Sequence, residues 1–141
     1  MKHGFGNDRV YIRAVEFADK VVFLERGARG DQGFLAGRLA GTAVTILENI
    51  TASAGTRGGP DRAGGLEQGR RACLRCIPLL VLMGRNGLIG KLTLAALKAE
   101  AEGIAESLAV MISREKKKHW YRYLVPGSRH ERQPFGGEEL I

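Results

Sequence analysis

Cys73 and Cys76 are the only cysteines of the chain, and their Cys-x-x-Cys spacing spells a redox centre or half of a zinc site. Their neighbours argue for packing instead. Leu74, Ile77, Leu79 and Leu80 surround them, no second cysteine pair completes a tetrahedral site, and a thiol inside an apolar helix behaves as a small hydrophobe. His3, His119 and His130 are scattered through the terminal segments with no Asp or Glu at metal-ligand spacing. Ser53, Ser107, Ser113 and Ser128 have no nucleophile-elbow sequence around them. Glu100, Glu102 and Glu106 read as a solvated helix face, with Lys98 and Glu102 as an i,i+4 pair. No catalytic centre, metal or cofactor is expected, and an enzyme is the weakest of the functional classes.

Positive charge is the chemistry that remains. The 141 residues hold 22 Lys+Arg against 15 Asp+Glu, a net charge of +7. Residues 1–70 contribute a net +2 and residues 71–141 a net +5. Two groups stand out. Arg70, Arg71 and Arg75 fall at the start of the third apolar stretch, with Arg57 and Arg62 just before them. Arg114, Lys116, Lys117, Lys118 and Arg122 follow the fourth, interleaved with Trp120 and Tyr121. Cations supply phosphate contacts and aromatic rings supply base stacking, so nucleic-acid binding is the function this pattern favours. The bland alternative is a set of dipole-complementing, solubilising charges, and an acidic protein partner is a second use of the same surface.

Four helices must position these groups. Val10, Ala14, Phe17, Val21 and Leu24 recur at spacings of 4, 3, 4 and 3, predicting a helix over about 8–26. A second helix is predicted over about 31–53 on Phe34 or Leu35, Leu39, Ala43, Ile46 or Leu47, and Ile50, with Gly37 and Gly41 marking a close approach of another backbone. The glycine-rich stretch 54–65 reads as a flexible connection, without the Gly-Lys-Ser/Thr ending of a phosphate loop. A third helix is predicted over about 66–86, bent at Pro78, capped by Asn86-Gly87 and apolar round so much of its circumference that burial on more than one side is expected. The fourth, over about 91–120, carries Leu94, Leu97, Ala101, Ile104, Leu108 and Met111 on a heptad seam.

With no alternating strand pattern, these lengths and short links predict an all-α protein, an antiparallel up-and-down four-helix bundle spanning residues 1–125, followed by a flexible tail over 126–141. The longest apolar run, 77–83, is far short of a bilayer span, so no membrane partner is expected. The amino-terminal residues lack a signal-peptide pattern, which makes a cytoplasmic location the expectation. The apolar breadth of the third helix and the small residues of the second predict a homo-oligomer.

Three runs carry a resemblance to a known family: GFLAGRLAGTAVTILENITASAG in the second helix, LEQGRRACLRCIPLLVLMGRNGLI in the third and AEAEGIAESLAVMISREKK in the fourth. In that order they resemble the four-helix bundle family of 23S ribosomal RNA intervening sequence proteins and the accessory variability determinants of diversity-generating retroelements. Asn49-Ile50, Gly87-Leu88-Ile89 and the stretch 104–112 are the most telling pieces. Intervening sequence proteins usually continue Asn-Ile with Ala-Glu-Gly, where this chain has Thr51-Ala52-Ser53, and Arg75 stands where they usually carry a glutamate. Those losses of acid and the gain of basic residues lean toward the retroelement proteins.

The resemblance implies a barrel-like homopentamer that binds template RNA or cDNA and associates with a reverse transcriptase, which does the chemistry. An intervening-sequence-type protein, a helical adaptor that binds only protein, and an enzyme with an unseen site are the competing expectations.

Overall fold

A computed structural model describes residues 8–28, 30 and 32–124, with 8, 32 and 119–124 as helix backbone only. Four α-helices follow one another: α1 Asp8–Gly27, α2 Gln32–Ala54, α3 Pro60–Arg85 and α4 Lys91–Leu124. No strand occurs among the described residues. Cross-helix contacts give the directions. Gly65 of α3 meets Ser53 of α2, and Gly69 meets Asn49; Gly69 also meets Leu108 of α4, and Gly84 meets Leu94. Arg13 and Lys20 of α1 reach Ser107 and Glu100 of α4. Each of these pairings runs antiparallel, as the short turns between helices require.

The predicted stripes become the core. Val10, Ala14, Phe17 and Val21 of α1, Leu39, Ala43, Ile46 and Ile50 of α2, and Leu97, Ala101, Ile104 and Leu108 of α4 are buried in one cluster, with Leu94 and Met111 half-covered. Cys73 and Cys76 are fully buried in the same cluster, and burial pushes both thiols up to about 12, far from a reactive thiolate. Asn86 and Gly87 end α3 as expected: Gly87 takes the left-handed conformation at φ 75° and the Leu88 N–H donates to the Met83 carbonyl at 2.9 Å. No helix among the described residues is long and apolar enough to cross a membrane.

Four expectations need correction. The glycine-rich stretch is not a long loop: α3 starts at Pro60, and only residues 55–59 connect the helices. Proline at the first helical turn and Asp61 beside the helix dipole favour initiation there, outweighing the propensity cost of Gly64 and Gly65. The close approach also lies elsewhere. A Cβ on Gly41 would meet nothing, whereas one on Gly65 would collide with the Ser53 hydroxyl, so the glycines that admit a neighbour belong to α3. Within the protomer α3 buries one side only; Leu74 and Leu82 on the other are exposed. Last, Glu100 is not simply solvated: it pairs with Lys20 of α1, while no ion pair joins Lys98 to Glu102. The expected tail over 126–141 lies outside the described residues.

Candidate nucleic-acid interface

The end of the bundle where α3 begins is organised around a buried acid. Glu115 is 7% exposed, in line with Leu108 and Ile112 on the inner face of α4. Its carboxylate accepts the Gly59 N–H at 2.9 Å and the Lys118 ammonium at 3.3 Å, and lies 3.5 Å from the Arg62 guanidinium. Burial pushes this carboxyl up, but the Gly59 N–H, Lys118 and Arg62 together outweigh it and hold its pKa below the ordinary 4.5. Gly58 and Gly59 have φ of 98° and 68°, conformations that let the loop bring its N–H to the carboxylate. Arg62 also donates to the Ser53 and Thr56 carbonyls, at 3.1 and 2.9 Å, so it ties the end of α2 to the start of α3. Arg62 and Lys118 are therefore structural cations as much as surface ones.

One turn further along α3, Glu67 holds both arginines that follow it. Arg70 donates through two nitrogens at 3.0 and 2.8 Å, and Arg71 through Nε at 3.1 Å. The Arg70 hydrogen bonds are the main reason the Glu67 carboxyl sits at about 2, with Arg71 adding to them against a smaller burial effect. This bidentate geometry orients the Arg70 guanidinium.

Arg70 and Arg71 line a groove of about 640 Å³ between α3 and α4, and Lys116 lines it from the α4 side. Ala63 and Ile112 give it an apolar floor, and Pro60 closes one end. The two basic groups recognised in the sequence thus meet at Arg70, Arg71 and Lys116. Apart from Arg62 and Lys118, which share the Glu115 carboxylate, they meet nowhere else among the described side chains. Arg75 is exposed one turn beyond Arg71, outside the groove. Along α4 each residue advances about 100°, so Arg114 and Lys118 turn toward the α1 side, and Lys117 points between them and Lys116. A consecutive basic run on a helix cannot form a single patch. Trp120, Tyr121 and Arg122 belong to α4, and their side chains lie outside the described residues.

Sequence reasoning missed Glu115 and Glu67. Glu115 was legible in principle, as the one acid in Arg-Glu-Lys-Lys-Lys and spaced 4 and 3 from Leu108 through Ile112. Glu67 stands three and four residues before Arg70 and Arg71, the spacing of helix ion pairs. Among the described residues no three His, Cys, Asp or Glu side chains are placed to hold a metal ion. Comparison with protein-family models, curated proteins and solved structures returns no match to this chain.

Proposed function

We propose that this chain is a non-enzymatic, nucleic-acid-binding accessory subunit. The carrying observation is the α3–α4 groove, where Arg70, Arg71 and Lys116 converge from two helices over an apolar floor. A cleft lined by two guanidinium groups and an ammonium, with Glu67 as its one resident anion, suits the phosphate backbone of a single strand, and a net charge of +7 brings a polyanion toward it. The resemblance to the retroelement accessory proteins supports template RNA or cDNA as the nucleic acid, a reverse transcriptase as the protein partner and a homopentamer as the assembly. In this reading Arg75, Arg114 and Lys117 extend the positive field around the groove, and Trp120, Tyr121 and Arg122 on the last turns of α4 are the candidates for stacking and clamping.

The test is RNA affinity measured against salt for the parent chain, for Arg70→Glu/Arg71→Glu and for Lys116→Glu/Lys117→Glu. Point variants serve better than truncation of α4, which would delete Glu115 and with it the acceptor for the Gly59 N–H at the start of α3. If about six phosphates are contacted, affinity should drop on the order of a thousandfold between ~50 and ~200 mM salt. Each double variant should weaken binding and flatten that slope while keeping its helical circular dichroism. Folded variants that bind RNA as the parent does, at every salt concentration, would refute the proposal and leave a protein-binding adaptor as the better reading.

A further inference from the structure

Two outward faces of the bundle carry large apolar side chains that the described residues leave more than half exposed. On α1, Arg9, Ile12, Glu16, Asp19 and Phe23 form a stripe directed outward and toward α4; Ile12 is 51% and Phe23 71% exposed. Beside Phe23 an apolar groove of about 410 Å³ opens between α1 and α4, floored by Leu24 and Leu97 with Asp19 and Glu100 at its rim. On α2, Phe34, Arg38, Gly41, Thr45 and Glu48 form the outer stripe. Phe34 is 64% exposed with the Arg38 guanidinium 5.9 Å from its ring centre. Arg38 and Glu48 are the only charged residues of α2, a low polarity for a helix with a whole side turned outward.

We propose that a second copy of this chain covers the α1 face, laying the outer stripe of its α2 antiparallel along α1. The spacing and the charges carry the idea. Read from Phe23 back to Arg9, the α1 stripe has intervals of 4, 3, 4 and 3; read forward from Phe34 to Glu48, the α2 stripe has the same intervals. In that one register Phe34 meets Phe23, Arg38 meets Asp19, Thr45 meets Ile12 and Glu48 meets Arg9. The partner's Phe34 enters beside Phe23 as an aromatic pair in the apolar groove, and two opposite-charge pairs fix the axial position. Gly41, where a side chain would touch nothing within 4 Å, leaves room for the stem of Glu16. Sliding by one helical turn separates the two phenylalanines and breaks the Glu48–Arg9 pair.

Because the two faces lie on different sides of one protomer, the contact is head-to-tail. Every copy uses both faces, and association continues until a ring closes. With α2 antiparallel to the neighbour's α1, all protomers point the same way, so the α3–α4 grooves repeat around the ring. This inference rests on the self-assembly part of the proposed function.

The test uses the full chain. Asp19→Arg, Arg38→Asp and their combination are compared with the parent by sedimentation velocity, with circular dichroism confirming the fold. Oxidative cross-linking is read on Asp19→Cys, Arg38→Cys and the double-cysteine chain, against a background in which Cys73 and Cys76 are buried. The parent should be oligomeric, each single reversal should weaken association by on the order of tenfold or more, and the combined reversal should restore it. The double-cysteine chain should form a ladder of linked copies, and neither single-cysteine chain should dimerise through its own new thiol. An oligomeric parent whose association ignores these reversals, a combined reversal that recovers nothing, or a chain with Cys at 19 alone that links to itself overturns the interface while leaving self-assembly standing. A monomeric parent at tens of micromolar overturns self-assembly itself.

Discussion

Helix α4 has two flanks, and the chain treats them differently. Toward α3 it closes by shape: Gly69 lies against Leu108, Gly84 receives the end of Leu94, and Glu115 reaches across to the Gly59 N–H. Toward α1 the two helices are bridged by polar side chains. Arg13 donates to the Ser107 hydroxyl at 3.2 Å while its guanidinium crosses Gly103, and Lys20 pairs with Glu100 at 2.6 Å. Both flanks keep an opening: on the first it is bordered by Arg70, Arg71 and Lys116, and on the second it is an apolar groove beside the 71%-exposed Phe23. The first flank sets the stability of the protomer. The second adds an exposed ion pair to the packing of Phe17 and Val21, and it carries the largest exposed aromatic side chain of α1, Phe23.

The strongest way to break this contrast is truncation on each side. Leu108→Ala removes a fully buried side chain packed against Gly69, and should destabilise folding by about 2–5 kcal/mol through lost burial and a residual cavity. Phe23→Ala removes a larger side chain from the α1 flank, yet it should change the unfolding free energy of the protomer by less than about 0.5 kcal/mol while weakening association. Comparable losses at the two positions in denaturant titrations of the monomeric form would mean that both flanks are core.

Next in size is the buried carboxylate. Glu115→Ala strips the Gly59 N–H of its acceptor and leaves Arg62 and Lys118 without their counter-charge, which should cost about 1–3 kcal/mol. Glu115→Gln keeps an acceptor for Gly59 and should cost less. The acid also predicts a direction with pH. Its pKa is lower in the folded protein than the ordinary 4.5, so its contribution is whole above that value and fades as the pH falls through the folded pKa. Glu67 adds a second such contribution, lost between about 4.5 and about 2. The parent should therefore lose stability in this acid window more steeply than Glu115→Gln does, measured as thermal midpoints at successive pH values.

These two acids also show what could be read from the sequence and what could not. The four helices were legible because their buried faces repeat at 3 and 4: Phe17, Leu39, Ile46 and Leu108 all sit where the periodicity puts them. The start of α3 was misread because propensity sees Gly64 and Gly65 as breakers, whereas packing uses Gly65 to admit Ser53. Of the basic residues, periodicity separates Lys116 from Arg114 and Lys118 but says nothing about which neighbouring helix each will face. The meeting of Arg70, Arg71 and Lys116 depends on the antiparallel register of α3 and α4, a long-range property set by Gly69 against Leu108 and Gly84 against Leu94. Composition reported the positive charge, and only the register made part of it a groove.

A gentler probe sharpens the role of the α3 flank. Glu67 is a resident anion on Arg70 and Arg71, and a phosphate entering the groove must compete with it. Glu67→Gln keeps a hydrogen-bond acceptor and removes the charge, so RNA affinity should rise a few-fold and the salt dependence should steepen as both guanidinium groups become available. A fall in affinity would instead identify Glu67 as the group that holds the arginines in a productive geometry, and fluorescence anisotropy with a short labelled RNA separates the two outcomes.

The smallest effect belongs to the polar bridge on the α1 flank. Lys20 and Glu100 form a close ion pair, but the Lys20 side chain is more than half exposed, so water and salt screen the attraction. The Glu100 hydrogen bond raises the Lys20 pKa above its ordinary 10.5, which means the pair stabilises the folded chain below that value and loses its effect as the pH climbs past it. A double-mutant cycle with Lys20→Met and Glu100→Gln should return a coupling of about 0.2–1 kcal/mol at low salt, shrinking toward zero near 1 M salt. That value would fit a flank whose closure is inexpensive to undo, with α1 free to adjust as a neighbour's α2 settles over Phe23 and Asp19. A coupling of several kcal/mol that persists in high salt would show that the pair anchors α1 rigidly, and the two flanks of α4 would then differ in chemistry but not in strength.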